Sequence, residues 1–114
     1  MTVELLYFDG CPNHESLLPR LQAILAEEGV PSGVELRRVE SEHDARRLRF
    51  LGSPTVRVDG QDVEAGAEHR QDFGLKCRLY VSAGRLSGVP ADGLIRDAIR
   101  AQALSRAARG CPVR

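Results

Sequence analysis

The segment Val3 to Phe8 constrains the fold most. Val3, Leu5 and Tyr7 alternate with Glu4, Leu6 and Phe8, so apolar side chains fall on both faces of an extended stretch except near its start. A strand that is apolar on both sides belongs inside a sheet, with a layer packed above it and another below. Asp9 and Gly10 end it, and Leu17, Leu18, Leu21, Ile24 and Leu25 then recur at the spacing of an amphipathic helix. An interior strand feeding directly into a helix predicts an α/β architecture.

The remaining elements follow the same logic. Asn13 suits the helix cap, Glu15 complements the positive helix end, and Gly29 stops the helix. Pro19 removes a backbone bond inside it and should kink it. Val34 to Glu40 predicts a second strand with Val34, Leu36 and Val39 as its apolar contacts, and a right-handed parallel crossover is the default connection. Ser41 to Arg49 predicts a short helix capped by Ser41, with Asp44 three residues on, Leu48 turned to the core, and Phe50, Leu51 and Gly52 closing it. Thr55, Val56 and Val58 form a third strand that ends in the reversal pair Asp59 and Gly60. A fourth strand is expected from Cys77 to Val81, after a polar stretch, 61–76, long enough to suggest function or mobility. Asp92 is expected to cap a last helix carrying Leu94, Ile95, Ala98, Ile99 and Gln102, with 104–114 as a frayed tail. The order is βαβαββα, a four-stranded mixed sheet flanked by helices in one domain spanning 1–114.

Composition narrows the function classes. The formal net charge is zero, and all but Lys76 of the 16 basic residues are arginine, which gives no electrostatic case for a nucleic-acid partner. Only two Tyr and three Phe are present, too few for a base-stacking platform. The N-terminus lacks a basic leader, and no apolar run approaches the roughly 20 residues of a membrane span, so the expectation is a cytoplasmic protein without a membrane partner. Cys11, Cys77 and Cys111 are too few and odd in number for a disulfide framework, and pairing among them would be redox chemistry rather than stapling. Nothing in the sequence specifies an oligomeric state or a cofactor.

Three landmarks together resemble the thioredoxin and glutaredoxin superfamily across nearly the whole chain. Cys11 sits at the junction of the first strand and its helix, Pro19 lies eight residues later, and Ser53-Pro54 precedes the third strand. The resemblance implies a thioredoxin-like fold in which Cys11 is the nucleophile and Pro54 is a cis-proline facing it. Pro12, Ser53 and Pro54 would then help to hold a protein or low-molecular-weight thiol or disulfide substrate. The second motif cysteine would fall at position 14, and this chain has His14 there. Exchange within the motif is therefore ruled out.

A thiolate is the reactive form of cysteine, and a helix N-terminus favours it, so Cys11 is expected to ionise below an ordinary thiol. The alternative is a small buried cysteine that fills the junction. His14, one turn later, is expected to be neutral and able to steer the Cys11 proton or join it on a soft metal; otherwise it is an exposed first-turn residue. Cys77 is the candidate resolving thiol, or else a packed strand cysteine. Asp9 could orient a proton or simply form the turn, and Cys111 reads as an exposed tail thiol. His43 and His69 lie in polar surroundings without ligand spacing.

Three functions compete. The first is thiol-disulfide exchange through Cys11, finished by Cys77 or by an external thiol such as glutathione. The second is soft-metal or organomercurial binding at Cys11, Cys77 and His14, an arrangement that resembles small thioredoxin-like proteins grouped with alkylmercury lyases. The third is a redox-inert binding module of the same fold.

Overall fold

The computed structural model describes residues 1–31 and 33–110. Along the chain come β1 (Val3–Tyr7), α1 (Asn13–Glu27), β2 (Val34–Arg38), α2 (Glu42–Arg47), β3 (Thr55–Val58) and β4 (Gln61–Asp62). A 3₁₀ turn (Ala67–His69), β5 (Tyr80–Ser82), β6 (Arg85–Ser87) and α3 (Asp92–Gly110) follow. The result is a small α/β fold built on a four-stranded mixed sheet in the order β2-β1-β3-β4. β1 pairs parallel with β2 and antiparallel with β3, and β3 pairs antiparallel with β4.

The two-sided apolar pattern of β1 decides the layering. Val3 and Leu5, with Val56 and Val58 of β3, pack against Leu17, Leu21, Ile24 and Leu25 of α1 and Ile95 and Ile99 of α3. Leu6 points the other way, into a smaller cluster with Val39, Ala45 of α2 and Phe50. Burying each of the larger of these side chains, Val, Leu, Ile or Phe, contributes about 1.5–3 kcal/mol. The same face carries charge at the other end of β1, where Glu4 meets Arg37 at 3.3 Å.

Local signals account for several termini. Ser41 Oγ accepts the Asp44 backbone N–H at 3.0 Å, as a helix cap should. Gly29 takes φ +73, and the N–H groups of Gly29 and Val30 donate to Ala26 O and Leu25 O. That pattern is the left-handed glycine stop of a Schellman motif. Three ion pairs, Arg20 with Asp92, Arg96 with Glu27 and Arg100 with Glu28, join α1 and its C-cap residue Glu28 to α3.

Other expectations are corrected. Pro12 occupies the cap position of α1 without a side-chain bond, while the Asn13 amide reaches across to Gly88 O at 3.5 Å. Leu36 is 52% exposed, because β2 is an edge strand whose residues beyond Val34 lie outside the helix layer. Asp92 is the first residue of α3 and spends its carboxylate on Arg20. α3 continues to Gly110, past the expected start of the tail at 104, and Arg106 ties its last turns to Asp59 at 3.2 Å.

The largest correction concerns the fourth strand, which is Gln61–Asp62 and not Cys77 to Val81. Asp59 and Gly60 both adopt positive φ, +51 and +81, as a two-residue type I′ hairpin requires, so the chain returns at once beside β3. Ala83 and Gly84 repeat this geometry, with φ +51 and +76, and close β5 and β6 into a separate two-stranded hairpin. The stretch 61–76 is tied down along its length. Glu64 and Asp72 clamp Arg70, Gly74 N–H donates to Phe50 O, and Leu75 N–H donates to the Glu42 carboxylate.

Candidate functional site

Beyond β1 the chain turns through Asp9 and Gly10, and Cys11 N–H donates back to Phe8 O at 3.2 Å. A Cβ at Gly10 would stand 2.4 Å from the Phe8 ring, so a larger residue in this turn would have to displace that ring. The turn carries Cys11 inward at the foot of α1, where it is completely buried. Its Sγ donates to Ser53 O at 3.5 Å. The Ser53–Pro54 peptide bond is cis, and both residues are buried.

A third segment completes the site. Ser53 N–H donates to Lys76 O at 2.8 Å, and Arg78 N–H donates to Ser53 O at 2.9 Å. These two bonds set Cys77 opposite Ser53 in a parallel bridge. Cys77 therefore comes beside Cys11, and both are free thiols. Hydrogen bonding to Cys11 pushes the Cys77 thiol above its ordinary pKa, and burial and the electrostatic interaction with Cys11 act in the same direction. The environments differ sharply: Cys11 has no exposed surface, whereas Cys77 is exposed.

Arg78 holds this segment in register. Residues 77–81 alternate outward and inward, with Arg78 and Tyr80 buried and Cys77, Leu79 and Val81 exposed. The Arg78 guanidinium meets the Asp62 carboxylate in a bidentate pair at 2.7 and 2.9 Å, donates to Thr55 Oγ1 at 3.1 Å, and lies 4.6 Å over the Tyr80 ring. Glu64 adds a contact at 3.3 Å. Burial is the largest single influence and disfavours the guanidinium charge, but the hydrogen bond to Asp62 and the negative charges around it, those of Asp62 and Glu64 included, together outweigh it, so its pKa rises. Tyr80 Oη donates to Pro54 O at 2.5 Å, and burial pushes its phenol well up. Gly52, at φ +122, allows the close approach: a Cβ there would lie 3.0 Å from both Lys76 O and Arg78 Cβ.

The structure brings together Cys11, Cys77, Ser53 and Pro54. His14 is placed differently from expectation. Its Nδ1 lies 3.0 Å from the Cys11 carbonyl oxygen, which can only accept, so the proton sits on Nδ1 and the bond goes to backbone rather than to the thiol. The ring stacks on Tyr7 with centroids 4.1 Å apart. Pro12 is exposed at the head of α1. Asp9 pairs with Arg38 at 3.0 Å. Cys111 lies outside the described residues. The roles of Ser53 and Pro54 as a substrate rest meet a physical obstacle, since both hydrogen-bonding groups of the Ser53 backbone are taken by the chain's own residues 76–78.

Gly52 and Arg78 escaped the sequence reading. Gly52 had a readable signal, a glycine immediately before Ser53-Pro54, but it served equally well as a helix terminator. Arg78 had none, because a buried arginine is recognisable only beside its carboxylates. Among the described residues no group of three His, Cys, Asp or Glu side chains is arranged to hold a metal ion. No helix among them is long and apolar enough to cross a membrane. Comparison with known proteins returns no matching family model, no matching curated protein and no matching solved structure.

Proposed function

We propose that the chain is a thioredoxin-like thiol-disulfide oxidoreductase whose working unit is the dithiol of Cys11 and Cys77. The observation that carries this reading is the placement of Cys77 beside Cys11 across the Ser53–Pro54 bond, which supplies, among the described residues, a second thiol where position 14 is histidine. The strand order, with β1 parallel to β2 and antiparallel to β3, and a cis-proline next to a cysteine at the β1–α1 junction, support the thioredoxin-like reading. The pair would pass two electrons and two protons to a disulfide substrate, forming the Cys11–Cys77 bond and releasing two thiols. Glutathione in the cytoplasm would return it to the dithiol.

Non-reducing peptide mapping of the protein equilibrated in glutathione buffers tests the reading. The expected result is a Cys11–Cys77 linkage that titrates with the buffer potential. Unlinked thiols across the whole range would reject it. A second reading, a redox-inert binding module, draws support from the complete burial of Cys11 and would follow from that second outcome.

A further inference from the structure

We infer that Cys77, and not Cys11, is the sulfur that first reacts with the external substrate, that Cys11 is the resolving thiol, and that the substrate is a low-molecular-weight disulfide. The inference rests on the dithiol reading above and reverses the roles that position at a helix start suggests.

Access decides the order. A thiolate must approach one sulfur of a disulfide from the side opposite the other, so an attacking Sγ needs open space in front of it. Cys11 is fully enclosed and its Sγ is directed at Ser53 O. Cys77 lies on the outward face of its segment, in line with exposed Leu79 and Val81. The segment is not a loose arm that could swing aside to uncover Cys11. Ser53 holds its backbone on both sides of Cys77, Gly52 lets it pack closely, and the buried Arg78–Asp62 pair anchors the next residue.

The same bonds select the substrate. An extended protein segment docked at Ser53 and Pro54, as the resemblance implies, would need the Ser53 backbone N–H and C=O, and these already serve Lys76 and Arg78. A small disulfide needs no such pairing and meets Cys77 from solvent.

The reaction balances in two steps. Cys77 releases its proton to water, its thiolate forms a bond to one sulfur of RSSR, the S–S bond breaks, and RS⁻ leaves and takes up a proton. Cys11 then loses its proton, attacks the Cys77 sulfur of the mixed disulfide, and expels the second RS⁻. The protein dithiol is oxidised by two electrons, and RSSR is reduced to two RSH.

Glutathione disulfide is the probe, in a Cys111→Ser background so that only the two thiols of the site report. Native Cys11→Ser and Cys77→Ser proteins are incubated with it, and the adducts are followed by intact mass and peptide mapping. Because serine at a buried position can unfold the chain, Cys11→Ala is run in parallel and all variants are checked by circular dichroism. The expected result is a glutathione adduct on Cys77 in both Cys11 variants, formed on the order of tenfold or more faster than any adduct on Cys11 in folded Cys77→Ser when each rate is expressed per thiolate from that variant's own alkylation pH profile, since loss of Cys11 lowers the Cys77 pKa. Adduct formation on Cys11 at an equal or greater rate would overturn the assignment while leaving the dithiol reading intact, provided the protein with both cysteines still closes its disulfide. Failure of that protein to form a Cys11–Cys77 bond would reject both.

Discussion

Replacing Arg78 with methionine is the most direct test of how the site is held. The guanidinium side chain has no exposed surface, and its partners Asp62 and Glu64 are 13% and 26% exposed. Removing one member of a buried pair leaves the other charged without compensation, typically at about 3–5 kcal/mol. Glu64 keeps Arg70 at 3.0 Å, so only Asp62 is stranded, and its partial contact with water places the expected loss near the lower end, about 3 kcal/mol. For a chain of this length that corresponds to a fall in Tm of roughly 12 °C. Urea unfolding followed by circular dichroism measures it, with the slope checked for two-state behaviour. A companion variant, Arg78→Met with Asp62→Leu, removes the stranded carboxylate and should recover part of the loss, though not the bond from Glu64 N–H to Asp62 at 2.9 Å. A loss below about 1 kcal/mol in the single variant, or a double variant no more stable than the single, would refute the argument that this pair is buried and mutually dependent.

Three further outcomes are expected. Gly52→Ala must hold φ +122 and fit a Cβ 3.0 Å from Lys76 O, so it should destabilise the fold by about 2 kcal/mol or more, whereas wild-type stability would mean that segment 76–78 is not packed as described. Cys11→Ala removes the main cause that raises the Cys77 pKa, so the pH profile of Cys77 alkylation should move to lower pH; an unchanged profile would separate the two thiols. Arg70 and then Lys76 hold the Asp72 carboxyl well below the usual carboxylate range. Its stabilising contribution is therefore complete above the unfolded-state pKa of about 4 and lost as pH falls below that, so Asp72→Asn should flatten the decline of Tm between about pH 4 and pH 2. With Asp72 48% exposed the effect is small and weakens with salt, and an undiminished decline would remove Asp72 from the acid response.

What the amino-acid order determined by itself is short in range. The two-sided pattern of Val3 to Phe8 specifies an interior strand, Ser41 a helix start, Gly29 a helix stop, and Asp59-Gly60 a tight reversal, because each depends on backbone preferences or burial within a few residues. Cys11 at the β1–α1 junction was legible in the same way. The tertiary structure decided the rest. Whether Gln61 or Cys77 supplies the fourth strand depends on which backbone groups meet after the chain closes on itself, and β-propensity does not encode the partner. Exposure of Leu36, burial of Arg78, and the turn of His14 toward a carbonyl also depend on neighbours distant in sequence or on packing geometry. The pairing of the enclosed Cys11 with the open Cys77 comes from bonds between the Ser53, Lys76 and Arg78 backbones, partners far apart in sequence that no local pattern encodes.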